Sequence, residues 1–150
     1  MRVRIKALAP LSRSDARRLR RSVKRMVARL LPGADVELGV ALLDEDAVRR
    51  LNAEYRGLDE PTDVLAFPMM SAGEAMSGTS RKGEPFGDIA ICVPVAARQA
   101  AERGETPFEE IELLAAHGLL HLAGYDDSEE EAAASMAAME NKLLGRSIIR

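Results

Sequence analysis

Tryptophan is absent from this chain, and only three phenylalanines and two tyrosines are present among 150 residues. Aliphatic residues and methionine must therefore fill the core. One cysteine, Cys92, excludes an internal disulfide framework. With no third histidine to activate it, its simplest reading is a small buried strand residue. No apolar run approaches the roughly 18–20 residues that a membrane span requires. The first ten residues alternate basic with apolar side chains and lack the continuous apolar stretch of a secretory signal, so a cytoplasmic location is expected.

What is present belongs to the ordinary soluble class: 47% hydrophobic and 30% charged residues, in a length suited to a single domain spanning 1–150. The net charge of −3 conceals a segregation. Residues 1–31 hold eleven Lys and Arg against one acid, Asp15, leaving ten basic and twenty-three acidic residues for the rest. A basic end on an acidic protein points to a polyanion contact, with a solvated helix face as the plain alternative.

Periodicity places a strand over residues 2–8 and a helix from Ser14 to Leu31, stopped by Pro32-Gly33. A second strand is expected over Val36–Leu43. Asp44 then caps a short helix carrying Val48, Leu51 and Tyr55, which Gly57 ends. Asp63–Phe67 reads as a strand closed by Pro68, Met69–Pro85 as a mobile surface loop, and Asp88–Val93 as a strand ended by Pro94. A helix over Val95–Arg103 follows. Thr106-Pro107-Phe108-Glu109 is a capping box opening a helix that ends at Gly124, and Ser128–Glu131 is a second box opening a last helix to about Leu144. The class is α+β: a small mixed four-stranded sheet, one strand antiparallel, with about five helices.

The densest chemical signal is His117-Gly-Leu-Leu-His121-Leu-Ala-Gly124-Tyr-Asp126-Asp127, which contains both histidines of the chain. Spacing of four puts two imidazoles on one helix face, a turn apart, where they can share one metal ion. Gly124 lets the chain turn back, so that Asp126 or Asp127 approaches from a third direction. Three protein ligands leave a position for water, the pattern of catalytic rather than structural zinc. Zincin peptidases carry their general-base Glu directly after the first His; here that position is Gly118. Peptide hydrolysis is therefore disfavoured, whereas a cation-activated water remains available to other substrates.

Leu51-Asn-Ala-Glu-Tyr-Arg56-Gly-Leu-Asp-Glu-Pro61-Thr-Asp63-Val-Leu-Ala-Phe67-Pro resembles the central motif of the YbeY family. Gly87-Asp88-Ile89-Ala-Ile91 is similar to its next strand, and HGLLHLAGYDD to its metal motif. The resemblance runs from the first strand to the last helix. It implies a metal-dependent, single-strand endoribonuclease that matures the 3′ end of small-subunit ribosomal RNA and serves ribosome quality control. Its implied partners are single-stranded precursor RNA, the small ribosomal subunit, a ribosomal protein and the GTPase Era. The family motif ends Tyr-Asp-His, so the third ligand is expected at position 127, here an aspartate. One zinc ion on His117, His121 and Asp127 follows, with a carboxylate that makes bound water less acidic. Arg56 falls at the family's functional arginine, where a guanidinium can clamp a phosphate. Arg56 and His117 are thus the catalytic candidates, while Thr62 and Asp63 are expected to shape the turn beside them. Two other classes compete: a ribosome-assembly binding factor with a structural metal, and a peptidase-like metal-dependent hydrolase of another substrate.

Overall fold

The computed structural model describes residues 1–78 and 81–146. The elements follow one another as β1 (Arg2–Ala7), α1 (Arg13–Leu30), β2 (Val36–Leu43), α2 (Glu45–Arg56), β3 (Val64–Pro68), α3 (Ala72–Met76), β4 (Glu84–Cys92), α4 (Val93–Arg103), α5 (Pro107–Leu122) and α6 (Glu130–Leu144). The sheet order is β1-β2-β4-β3. β1, β2 and β4 run parallel, and β3 joins the edge antiparallel to β4, giving the mixed sheet expected. Among the described residues no helix is long and apolar enough to cross a membrane.

Side-chain alternation along the strands divides the interior into two cores. Val3, Leu38, Val40, Ile89 and Ile91 face α1, α5 and α6 in the larger core. Leu43, Leu65, Ala90 and Cys92 face the opposite side with Val48 of α2. Cys92 is fully buried, and burial pushes its thiol pKa up, as suits an inert packing residue.

Local signals explain most boundaries. Ser12 accepts a hydrogen bond from the Asp15 amide at the start of α1, and Asp44 does the same for Ala47 at α2. The capping box of α5 is complete, with Thr106 and Glu109 each bonding the other's backbone. Four expectations need correction. Met69–Pro85 is not irregular throughout: Ser71 caps the short helix α3, which tucks Ala75 into the core, so there are six helices among the described residues. Residues 79 and 80 of that stretch lie outside the described residues. β4 begins at Glu84, because Glu84 and Pro85 pair with Val36 and Glu37. Pro94 does not separate strand from helix either. It sits in the first turn of α4, where its missing N–H has no intrahelical partner to lose. At α6 the expected box is absent: Glu129 is the N-cap without a side-chain bond, because the Ser128 hydroxyl and amide both donate to Asp126.

α5 is the hub. Eleven of its sixteen residues are buried, so it behaves as a central helix rather than an amphipathic surface one. Its approach to the sheet is limited at Gly118, where a Cβ would lie 2.7 Å from Cγ2 and 3.2 Å from Cγ1 of Ile89. A glycine in mid-helix ordinarily costs about 1 kcal/mol against alanine; here it permits the contact. Gly118→Ala should therefore destabilise rather than stabilise. Overpacking of about 1–3 kcal/mol outweighs the propensity gain, for a net loss of about 1 kcal/mol in urea unfolding. In an Ile89→Ala background, which removes the opposing carbons, the same alanine should become neutral or favourable.

Candidate metal centre

The capping box starts α5 at Pro107, and four-residue spacing then stacks His117 and His121 near its end. Their rings meet edge to face, with centroids 4.6 Å apart and planes at 76°. Gly124, at φ +97°, ends the helix in a conformation that side chains avoid. The Tyr125 amide donates back to the Leu120 carbonyl at 3.0 Å, and the reversed chain carries the two aspartates towards the histidines. They then part. Asp126 accepts from the Ser128 hydroxyl at 2.7 Å and the Ser128 amide at 2.9 Å, bonds that hold its pKa below the usual carboxylate value. Asp127 faces the imidazoles.

Three donor atoms converge. The two Nε2 atoms are 3.1 Å apart, and Asp127 Oδ2 lies 3.5 Å from His117 Nε2 and 3.9 Å from His121 Nε2. Tetrahedral ligands with bonds of about 2.0–2.1 Å stand roughly 3.3–3.4 Å from one another, so the triangle fits one small divalent cation with little adjustment. The His117, His121 and Asp127 group can hold a metal ion.

A fourth residue, not singled out from the sequence, supports the site from behind. Glu140 of α6 accepts from His117 Nδ1 at 3.0 Å and is 6% exposed. With the Nδ1 proton committed to Glu140, the lone pair of His117 belongs to Nε2, which faces the other donors. Burial disfavours the charged ring of His117. The Glu140 hydrogen bond and the charges of Glu140, Asp127 and Asp63 outweigh that, so its pKa is raised. A cation binding here displaces a proton held more firmly than in free imidazole. One sequence signal could have revealed Glu140. It follows Met136 by four residues and precedes Leu143 by three, so a carboxylate interrupts the buried stripe of α6.

The donor triangle opens into a cavity of about 730 Å³ whose lining includes Tyr55, Arg56, Thr62, Asp63, β3 and both histidines. Arg56 is the last residue of α2, exposed, and without a hydrogen-bond or ion-pair partner among the described residues. Asp63 is anchored by Gln99 Nε2 at 3.3 Å, and its backbone carbonyl accepts from the Cys92 amide. These contacts suit the turn-shaping part expected of it, though its charge also reaches His117. Tyr55 packs edge-on against Phe67, centroids 5.1 Å apart, and remains 62% exposed on the cavity wall.

Fold and donor set together define an α+β domain with a histidine–carboxylate cluster, able to hold a metal ion, at the mouth of an open cleft. The family model described as Endoribonuclease YbeY matches residues 8–147, and the chain belongs to this family. An Endoribonuclease YbeY of Rhodospirillum rubrum is 42% identical over 77% of this chain and 58% of its own length. Those of Desulforamulus reducens and Thermobifida fusca are 45% and 37% identical, over 75% and 87% of this chain and 72% and 84% of theirs. The solution structure of a Thermotoga maritima protein, 28% identical, superposes with a TM-score of 0.62 over 95% of this chain and 89% of its own.

Glu140→Ala should keep the fold yet weaken binding of a divalent cation about 10–100-fold, the usual effect of losing a carboxylate behind a histidine ligand. Glu140→Gln, whose amide oxygen can still accept from Nδ1, should fall between that variant and wild type. Titration calorimetry with zinc on the metal-free protein reads both; equal affinity in all three would remove Glu140 from the site.

Proposed function

We propose that this protein is a metal-dependent, single-strand-specific endoribonuclease that uses one zinc ion held by His117, His121 and Asp127. The observation that carries the reading is that the donor triangle and the guanidinium of Arg56, without a partner among the described residues, line the same cleft in a chain of this family. A divalent cation held by these residues would supply Lewis-acid charge that lowers the pKa of water and neutralises phosphate. Two imidazoles and one carboxylate make a donor set suited to zinc.

The chain's own residues supply the rest. Glu140 keeps His117 in the tautomer that presents Nε2. Arg56 offers a planar fork that grips two phosphate oxygens and stabilises the charge that grows on them at bond cleavage. Tyr55 is exposed on the cleft wall, where its ring can stack with an unpaired base, an interaction closed to bases already paired in a duplex. A peptidase reading is disfavoured because Ile89 occupies the space that a general-base side chain at position 118 would need. The proposal extends to 3′-end maturation of small-subunit ribosomal RNA in the cytoplasm. Its partners there would be the small ribosomal subunit, a ribosomal protein and the GTPase Era, as resemblance to the family implies.

The first test is cleavage of a single-stranded RNA by wild type, His117→Ala and Arg56→Ala, with metal content measured in parallel. His117→Ala should lose both metal and cleavage. Arg56→Ala should keep its metal and lose about 2.7–4 kcal/mol of transition-state stabilisation, a hundred- to a thousand-fold in rate. Folded, zinc-loaded wild type that cuts no RNA would turn the reading to a binding factor with a structural metal. Asp127→His, which replaces a charged oxygen donor by an imidazole at the same position, should keep fold and metal and cleave at least as fast. Loss of metal in that variant would mean that the cavity is shaped specifically for a carboxylate.

A further inference from the structure

The cations of α1 differ in their surroundings. Arg18 lies over the Phe108 ring, 4.0 Å from its centroid, and Arg29 Nη1 donates to the Leu143 carbonyl at 2.6 Å; both tie the helix to its neighbours. Arg13, Arg17, Arg21, Lys24 and Arg25 are exposed and have no ion-pair or hydrogen-bond partner among the described residues. Several arginines outside α1 are paired: Arg49, Arg98, Arg103 and Arg146 each meet a carboxylate. The buried side of α1, with Leu19, Val23, Met26 and Val27, belongs to the main core. Burial of that side fixes the helix and holds the cations outward despite their mutual repulsion at four-residue spacing.

We infer that this outer face of α1 is a second RNA-binding surface, which grips the phosphodiester backbone outside the cleft. Positions 13, 17, 21 and 25 advance in four-residue steps, about 6 Å each and about 18 Å in all. A strip of that length, carrying five cations, can meet several successive phosphates of one strand. Guanidinium forks suit phosphate oxygens. No apolar side remains free for a membrane, since the other face of the helix is in the core. α1 meets α5 at Phe108 and Glu112, in the N-terminal half of α5. The donor triangle lies at the other end, so the strip holds a part of the transcript distant from the bond to be cut. The inference rests on the ribonuclease reading for its ligand and on the α1 geometry for its place.

The test uses the zinc-loaded full chain and a fluorescent single-stranded RNA oligonucleotide, titrated at several potassium chloride concentrations. A variant combining Arg17→Gln, Arg21→Gln and Arg25→Gln should lower the slope of log affinity against log salt by about two units, at about 0.7 for each phosphate left without its cation. Its cleavage rate at saturating RNA should equal that of wild type. The matching Arg17→Lys, Arg21→Lys and Arg25→Lys variant should keep most of the slope, since it retains the charge. An unchanged slope in the glutamine variant, beside Arg56-dependent cleavage, overturns the strip and leaves the ribonuclease reading intact. So does a lysine variant that behaves like glutamine, or a glutamine variant that binds RNA normally but cleaves slowly at saturation. Wild type that binds no RNA, or that binds anionic lipid vesicles in its place, overturns both.

Discussion

The close approach of α5 to β4 is the constraint from which the rest of the architecture follows. Gly118 meets Ile89 without an intervening side chain, and α5 therefore lies hard against the sheet. That depth turns the helix into a core element, with His117 and His121 emerging where it passes the sheet's β3 edge. It also leaves no room beside His117 for the carboxylate that would make a zincin-like peptidase. One steric fact thus serves both packing and chemistry: it seats the histidines at the cleft and removes the residue that would direct them to peptide bonds.

Burial of charge is handled by pairing throughout this region. Glu110 is fully buried in α5, and Arg103 reaches in to meet it at 2.8 Å. Glu140 is similarly enclosed and meets His117. An unpaired carboxylate at either place would be costly, and removal of one partner from a buried pair is the more damaging change. In the second case the pairing has a functional consequence, because the hydrogen bond decides which imidazole nitrogen carries the lone pair. Two sets of surface cations are arranged differently. Arg56 and the outer cations of α1 have no such partners among the described residues, and unpaired positive charge is what a phosphate ligand requires.

Much of the fold was legible because its signals are local. The caps Asp44 and Thr106, the stop at Gly57 and the strand Val36–Leu43 each depend on a few neighbouring residues and survive in the structure. The misread places are those where a distant partner outweighs the local signal. Ser71 caps a helix that the Gly- and Ser-rich composition of its surroundings hides, and Ala75 anchors it in the core. Glu84 and Pro85 are strand residues because β2 lies alongside. Ser128 is drawn into a turn by Asp126, so it cannot cap α6.

The sequence by itself determined the order of elements, the four-residue spacing that pairs His117 with His121, and the segregation of positive charge into the first helix. All three depend only on helix and strand periodicity and on composition. Tertiary structure alone decided which of two adjacent aspartates faces the imidazoles, since the turn after Gly124 commits Asp126 to Ser128 and leaves Asp127 to the cleft. It likewise brought Glu140 to His117 across twenty-three residues and set Arg56 on the wall of the same cavity. Such choices depend on how α2, α5 and α6 pack around one sheet. Convergence of side chains from separate elements is a property of packed volume, which no local pattern along the chain encodes.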